Sequence, residues 1–178
     1  HYGASDHEVF NDWGVQVPGI MMITWPDRWY HTSQDHVDKT DPTQLKRVAV
    51  IGAASAYTIA NADDHMAMKI AGEIASNATR RLGHEVVRGL EELNGATADN
   101  LAAAYKLGRS YLEAAIIAEK NTLESVKELA TDSRLVGDYV ASMQKAVDQV
   151  GASQLAVLDA HLEATRRKLK AGPVTLQL

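Results

Sequence analysis

Two short stretches hold the residue types that metal or acid–base chemistry needs. One is Tyr2-Gly-Ala-Ser5-Asp6-His7, and the other is Tyr30-His31-Thr32-Ser33-Gln34-Asp35. A neutral imidazole is a good zinc ligand, and a nearby carboxylate can orient it. Neither stretch has the spacing of two histidines one helical turn apart, and no dense group of His, Asp and Glu completes a site around either. On residue types alone, His31 is one ligand that needs at least two more. Ser5-Asp6-His7 contains the three residue types of a nucleophilic triad, but sequence neighbours rarely reach triad geometry.

The elements around His31 give it a setting. Val15 to Thr24 reads as a strand, with Pro18 confining its regular part to Gly19–Thr24. That part is apolar on both faces, as in a strand covered on both sides of a sheet. Nothing else in the chain reads as a comparable strand, so the sheet it belongs to is expected to lie outside this sequence. The stretch from Trp25 to Thr40 is then a loop, where binding and catalytic groups concentrate. It is followed by Asp41-Pro42-Thr43-Gln44, a cap and a proline at the first helical position. The helix so started is predicted to run to about Asn61, with a face of small residues at Ala49, Gly52, Ala53 and Ala56.

Composition changes near residue 62. Before it lie all three tryptophans and the only phenylalanine; after it come stretches rich in Ala, Leu, Glu, Lys and Val. The second region reads as helices with apolar residues at i, i+3 and i+4, the pattern of an antiparallel bundle. The expected helices span Asp64 to Leu82, stopping at Gly83; His84 to Leu93; a long one capped by Thr97 and continuing to Ala130; and a fourth capped by Asp132 or Ser133. Gly151 is predicted to kink or break the fourth, and Gly172-Pro173 to end helical structure. Gly108 sits in an apolar stripe, where a close packing contact would explain it. The expected organisation is thus a strand–loop–helix piece over 1–62 and an all-helical domain over 63–178.

The 178 residues are 46% hydrophobic and 23% charged, with a formal net charge of -5. An acidic balance argues against a nucleic-acid surface, which needs clustered cations. The one such cluster, Arg166-Arg167-Lys168-Leu169-Lys170, lies near a predicted helix C-terminus, where cations favour the dipole. Without cysteine there are neither disulfides nor thiolate metal sites. No apolar run approaches the roughly 20 residues that span a bilayer. The chain begins at His1 rather than Met, so the natural N-terminus is expected upstream and the missing signal peptide carries no information.

The order of motifs in residues 2 to about 61 resembles the di-zinc aminopeptidases of metallopeptidase family 28, the bacterial leucyl-aminopeptidase type. The resemblance is carried by Ser5-Asp6-His7 with Phe10, by Gly14-Val15-x-Val17-Pro18, and by Tyr30-His31-Thr32-x-x-Asp35, followed by Asp38 and Asp41-Pro42. It implies that residues 1–62 are the C-terminal end of an α/β/α catalytic sandwich and that His31 is the last zinc ligand. It places Tyr2 near the substrate carbonyl or the tetrahedral intermediate, and gives Asp6, His7 and Asp35 orienting or loop-fixing roles. Trp25 and Trp29, which flank the ligand loop, become substrate-pocket candidates.

The family's other ligands and its Glu-Glu general base lie upstream of these motifs. Glu91-Glu92 falls in a helical region with the wrong context and does not inherit that role. In the complete enzyme the resemblance implies two zinc ions that activate a water for attack on the peptide carbonyl of an N-terminal residue. This chain alone is expected to bind zinc poorly and to be inactive. The implied partners are a peptide substrate, the missing N-terminal part of the catalytic domain and a second copy in a homodimer. A periplasmic or secreted setting is the favoured expectation. The alternative is a non-enzymatic helical interaction or dimerisation module, with residues 1–62 as a remnant. Asp63-Asp64-His65 looks ligand-like, yet at a helix start capping is the better reading.

Overall fold

The computed structural model describes residues 5–12, 14–15 and 19–174. Among these the chain is mainly helical, in two units, His1–Ala60 and Asn61–Leu178. In the first, α1 (His7–Asn11) is followed by a segment without regular structure, a loop and α2 (Pro42–Ala60). In the second, α3 (Asp64–Asn94), α4 (Leu101–Ser125) and α5 (Ser133–Leu169) each pack on the other two.

The mainly helical class agrees with the sequence pattern, and α2 starts where the Asp41-Pro42 signal places it. Asp41 Oδ1 accepts the Thr43 N–H at 2.8 Å. Gly19–Thr24 forms no strand among the described residues. Ladder hydrogen bonds need a second strand, and none is described here. Gln16, Val17 and Pro18, within the expected strand Val15–Thr24, and Trp13 lie outside the described residues.

The helical unit is held by a stripe with 3–4 spacing on each helix. On α4 the buried positions are Leu101, Tyr105, Gly108, Leu112, Glu119 and Leu123; on α5 they include Val136, Val140, Val147, Gly151, Leu158 and Leu162. Such spacing keeps one seam facing the neighbours along a whole helix. The contacts show the directions. Arg81 meets Glu119 and Gly89 meets Gly108, so α3 and α4 are antiparallel. Lys120 meets Asp148 and Tyr105 meets Asp159, so α4 and α5 are antiparallel.

Three sequence expectations fail here, two of them glycine stops overridden because burial along a continuous seam outweighs local helix-breaking signals, and the third a cap displaced by a competing turn. Gly83 does not stop α3: Leu82, Val86 and Leu93 continue the buried stripe through it, against a propensity cost of about 1 kcal/mol. Helices expected as Asp64–Leu82 and His84–Leu93 are therefore one. Gly151 does not break α5, because it is a seat for Ile116, whose Cδ1 would lie 2.5 Å from an added Cβ. Thr97 is not the cap of α4. Its N–H and hydroxyl both donate to Asn100 Oδ1, at 2.7 and 3.1 Å, closing a turn that delays the helix to Leu101. The expected run to Ala130 ends instead as α-helix at Ser125 and a 3-10 turn over Val126–Leu129.

Gly108 has the close contact its place in the stripe implies. A Cβ there would lie 2.8 Å from Gly89 Cα and 3.0 Å from Gly89 O, backbone atoms of another helix. At Gly83 an added Cβ meets nothing within 4 Å. The pair makes a controlled comparison. Gly83→Ala should stabilise the bundle by about 0.5–1 kcal/mol through helix propensity. Gly108→Ala should destabilise it by about 1–3 kcal/mol, because the helices must part. Equal shifts in denaturant midpoint for the two variants would contradict this packing.

The start of α3 is tied to the start of α5 by one carboxylate. Asp63 caps α3, its Oδ1 accepting the Met66 N–H at 2.8 Å. Asp64 turns the other way and accepts from Thr131 N–H (2.7 Å), Thr131 Oγ1–H (2.8 Å) and Asp132 N–H (3.0 Å). These donors, the Asp132 amide first, hold the Asp64 carboxyl below the usual aspartate value. A depressed folded-state value means that the contribution is present above the unfolded pKa and is lost as pH falls through the folded one. Asp64→Asn should therefore weaken the bundle at neutral pH, and its stability should converge on the wild type below the ordinary aspartate range. Acid titrations of unfolding on both proteins test this.

Candidate functional site

The loop carrying His31 is built from local turns. Asp27 Oδ1 accepts the Trp29 N–H at 2.8 Å. Trp29 O accepts both the Thr32 N–H (3.0 Å) and the Thr32 hydroxyl (2.6 Å), and Thr32 Oγ1 in turn accepts the Gln34 N–H at 3.2 Å. Threonine one residue after the histidine thus clamps the turn on which the histidine sits. Asp35 joins through its backbone, donating its N–H to Thr32 O at 3.2 Å.

Inside this turn His31 has φ of 58°, the left-handed region. That conformation is uncommon for a residue with a side chain, although His visits it more often than most. Held strain of this kind clusters at functional sites. The imidazole lies flat on the Tyr30 ring, with centroids 3.9 Å apart and planes 18° apart. Trp25 meets the same Tyr30 ring edge-on, at 5.7 Å and 77°. An aromatic stack therefore runs Trp25–Tyr30–His31.

The two tryptophans are not equivalent. Lys39 Nζ sits 4.9 Å above the Trp29 ring, a cation–π contact that occupies one face. Trp25 is 62% exposed and belongs to the stack that holds His31. Of the two pocket candidates, Trp25 has the more open surface beside the histidine.

Of the first cluster, Ser5, Asp6 and His7 are described, at the start of α1. Asp6 precedes α1 without a side-chain cap bond. Asn11 brackets Gly19, its Oδ1 accepting the Gly19 N–H at 2.7 Å and its Nδ2 donating to Gly19 O at 3.0 Å. A Cβ on Gly19 would lie 3.0 Å from His7 O, so α1 rests directly on this segment. Tyr2 lies outside the described residues.

One imidazole fits one zinc position. Among the described residues no three His, Cys, Asp or Glu side chains are grouped to hold a metal ion. His31 and Asp35 share a turn, whereas Asp63 and Asp64 cap and tie helices, and Glu92 accepts the Tyr111 hydroxyl at 3.1 Å within the helical unit. Tyr30, one residue before the histidine in the same motif, gains a role as the ring on which His31 stacks. Its signal was adjacency to His31, which becomes contact only in the left-handed turn.

Residues 1–56 match the family model described as Peptidase family M28. No curated protein and no solved structure matches the chain. The matched segment holds α1, the His31 loop and most of α2.

Proposed function

We propose that this chain is the C-terminal part of a zinc-dependent exopeptidase that removes N-terminal residues from peptides. In this reading His31 supplies one zinc ligand, Trp25 and Trp29 border the substrate, and Tyr2 lies near the scissile carbonyl. The observation that carries the proposal is the match to Peptidase family M28 over a segment that contains His31 in its strained, stacked turn. Zinc, when bound in the complete enzyme, supplies Lewis-acid activation of water and carbonyl. The residues described here contribute the orientation of one imidazole and an aromatic border to the site.

The remaining ligands come, in this proposal, from polypeptide outside these residues, and the 178-residue chain is inactive alone. The test uses an aminoacyl-anilide as substrate. The full-length natural protein should release the anilide in a zinc-dependent way, with activity lost to a chelator and restored by zinc. The 178-residue chain should release none. Zinc-dependent hydrolysis by the short chain, abolished by His31→Ala, would overturn the claim that it lacks a complete site.

A further inference from the structure

His31 takes the third place of the four-residue turn Trp29–Thr32, closed by the Thr32 N–H on Trp29 O at 3.0 Å. Its φ of 58° is a left-handed value, which turns usually give to glycine or asparagine. The closing bond forms in turns with either sign of φ at the third place, so something further holds the positive one. The Thr32 hydroxyl donates to the same carbonyl at 2.6 Å, and its oxygen accepts the Gln34 N–H at 3.2 Å. One hydroxyl therefore ties the residue two before the histidine to the residue three after it. Two further turns follow from this anchor, Asp35 N–H donating to Thr32 O and His36 N–H to Gln34 O.

A metal-bound histidine is usually oriented through its second ring nitrogen, which donates to a carboxylate or a carbonyl. In this loop the ring is oriented by its stack on Tyr30, with centroids 3.9 Å apart, and Asp35 reaches the turn through its amide. Adjacent side chains meet face to face here because the backbone turns at His31. The conformation of that backbone thus sets the direction of the imidazole, and whatever holds the backbone holds the ring.

We propose that Thr32 is a positioning residue, whose hydroxyl acts through the backbone to fix the direction in which His31 presents its imidazole to zinc. Zinc as the recipient rests on the peptidase reading, whereas the hold on the ring stands on the turn alone. Serine supplies the same hydroxyl, and valine has the shape of threonine without it. The two substitutions therefore separate the hydroxyl from the bulk of the side chain. Thr32 is exposed in this chain, so neither change removes a core contact.

Nuclear magnetic resonance on the metal-free 178-residue chain tests the hold on the ring. The His31 ring protons lie against the face of Tyr30 and should resonate upfield of an unstacked histidine. Thr32→Val should move them back toward the unstacked position, and Thr32→Ser should leave them in place. In the full-length natural protein Thr32→Val should weaken zinc binding about 10-fold or more, the effect of losing an orienting partner. It should also lower kcat with KM little changed, and Thr32→Ser should match the wild type in both. Ring resonances unmoved by Thr32→Val would overturn the proposal at the turn. Resonances that move while zinc affinity stays at the wild-type value, in a protein whose zinc binding His31→Ala does weaken, would overturn it at the metal. Failure of the peptidase reading looks different: His31→Ala then leaves zinc content and hydrolysis unchanged. That result removes zinc as the recipient, while the ring resonances still decide whether Thr32 holds His31.

Discussion

Replacing His31 by alanine should abolish hydrolysis in the full-length protein, and replacing it by glycine should do the same while leaving the fold within about 1 kcal/mol of the wild type. Removing groups that merely orient a zinc ligand already costs 10–100-fold in metal affinity or activity. Loss of the ligand itself should exceed that, with kcat/KM down by about 1,000-fold or more and zinc content reduced. The glycine variant separates ligation from structure. At φ of 58° an alanine retains the left-handed strain, worth about 1 kcal/mol, whereas glycine adopts this region freely. Against that gain stands the lost stacking on Tyr30, about 0.5–1.5 kcal/mol for an aromatic pair. The two terms nearly cancel, so His31→Gly should unfold within about 1 kcal/mol of the wild type and His31→Ala about 0.5–1.5 kcal/mol below it. Parallel activity, zinc content and unfolding curves check this. Activity retained in both variants would remove His31 from the site.

The same residue shows how far sequence reaches. The turn signals at Asp41-Pro42 and Asp132, and the apolar periodicity of α3 to α5, act locally or along one helix, so both were legible. The Gly83 and Gly151 signals misled because each local preference is worth about 1 kcal/mol or less, and a seam such as Leu82–Val86–Leu93 outweighs it; the Thr97 signal misled because Asn100 takes its N–H and hydroxyl in a competing turn. Within the loop, the residue types of His31, Asp35 and Trp25 were readable. The Tyr30–His31 stack was not, because adjacent side chains face each other only when the backbone between them turns, and nothing in Tyr30-His31-Thr32 announces a left-handed histidine. The apolar character of Gly19–Thr24 was equally plain, yet the described residues hold no partner strand. Periodicity reports which faces need cover and is silent on what covers them.

That distinction applies inside the bundle too, where one seam position is polar. Glu119 occupies a core place on α4 and is 7% exposed. It takes a two-pronged contact from Arg81 on α3: Nε donates to Oε1, and Nη2 donates to Oε2 at 2.6 Å. The two partners are unequally placed, since the Arg81 side chain is 44% exposed and that of Glu119 only 9%. Arg81→Ala therefore strands a carboxylate in the seam. Breaking a buried pair in this way costs about 3–5 kcal/mol. An open groove lined by Glu73, Asn77 and Thr122 admits water beside it, which brings the expectation to about 2–4 kcal/mol. Glu119→Leu leaves only a cation that can swing into solvent and adds apolar surface at a seam position, so its effect should lie within about 1 kcal/mol of zero. In the double variant the leucine should restore most of what Arg81→Ala removes, giving a coupling of about 2 kcal/mol or more in a double-mutant cycle. If both single variants lose the same stability, the pair is an exposed ion pair in energetic terms and Glu119 is not buried as its geometry states. If the leucine variant loses several kcal/mol alone, the carboxylate is needed to hold the register of α3 against α4, the attested use of a polar residue in an apolar seam.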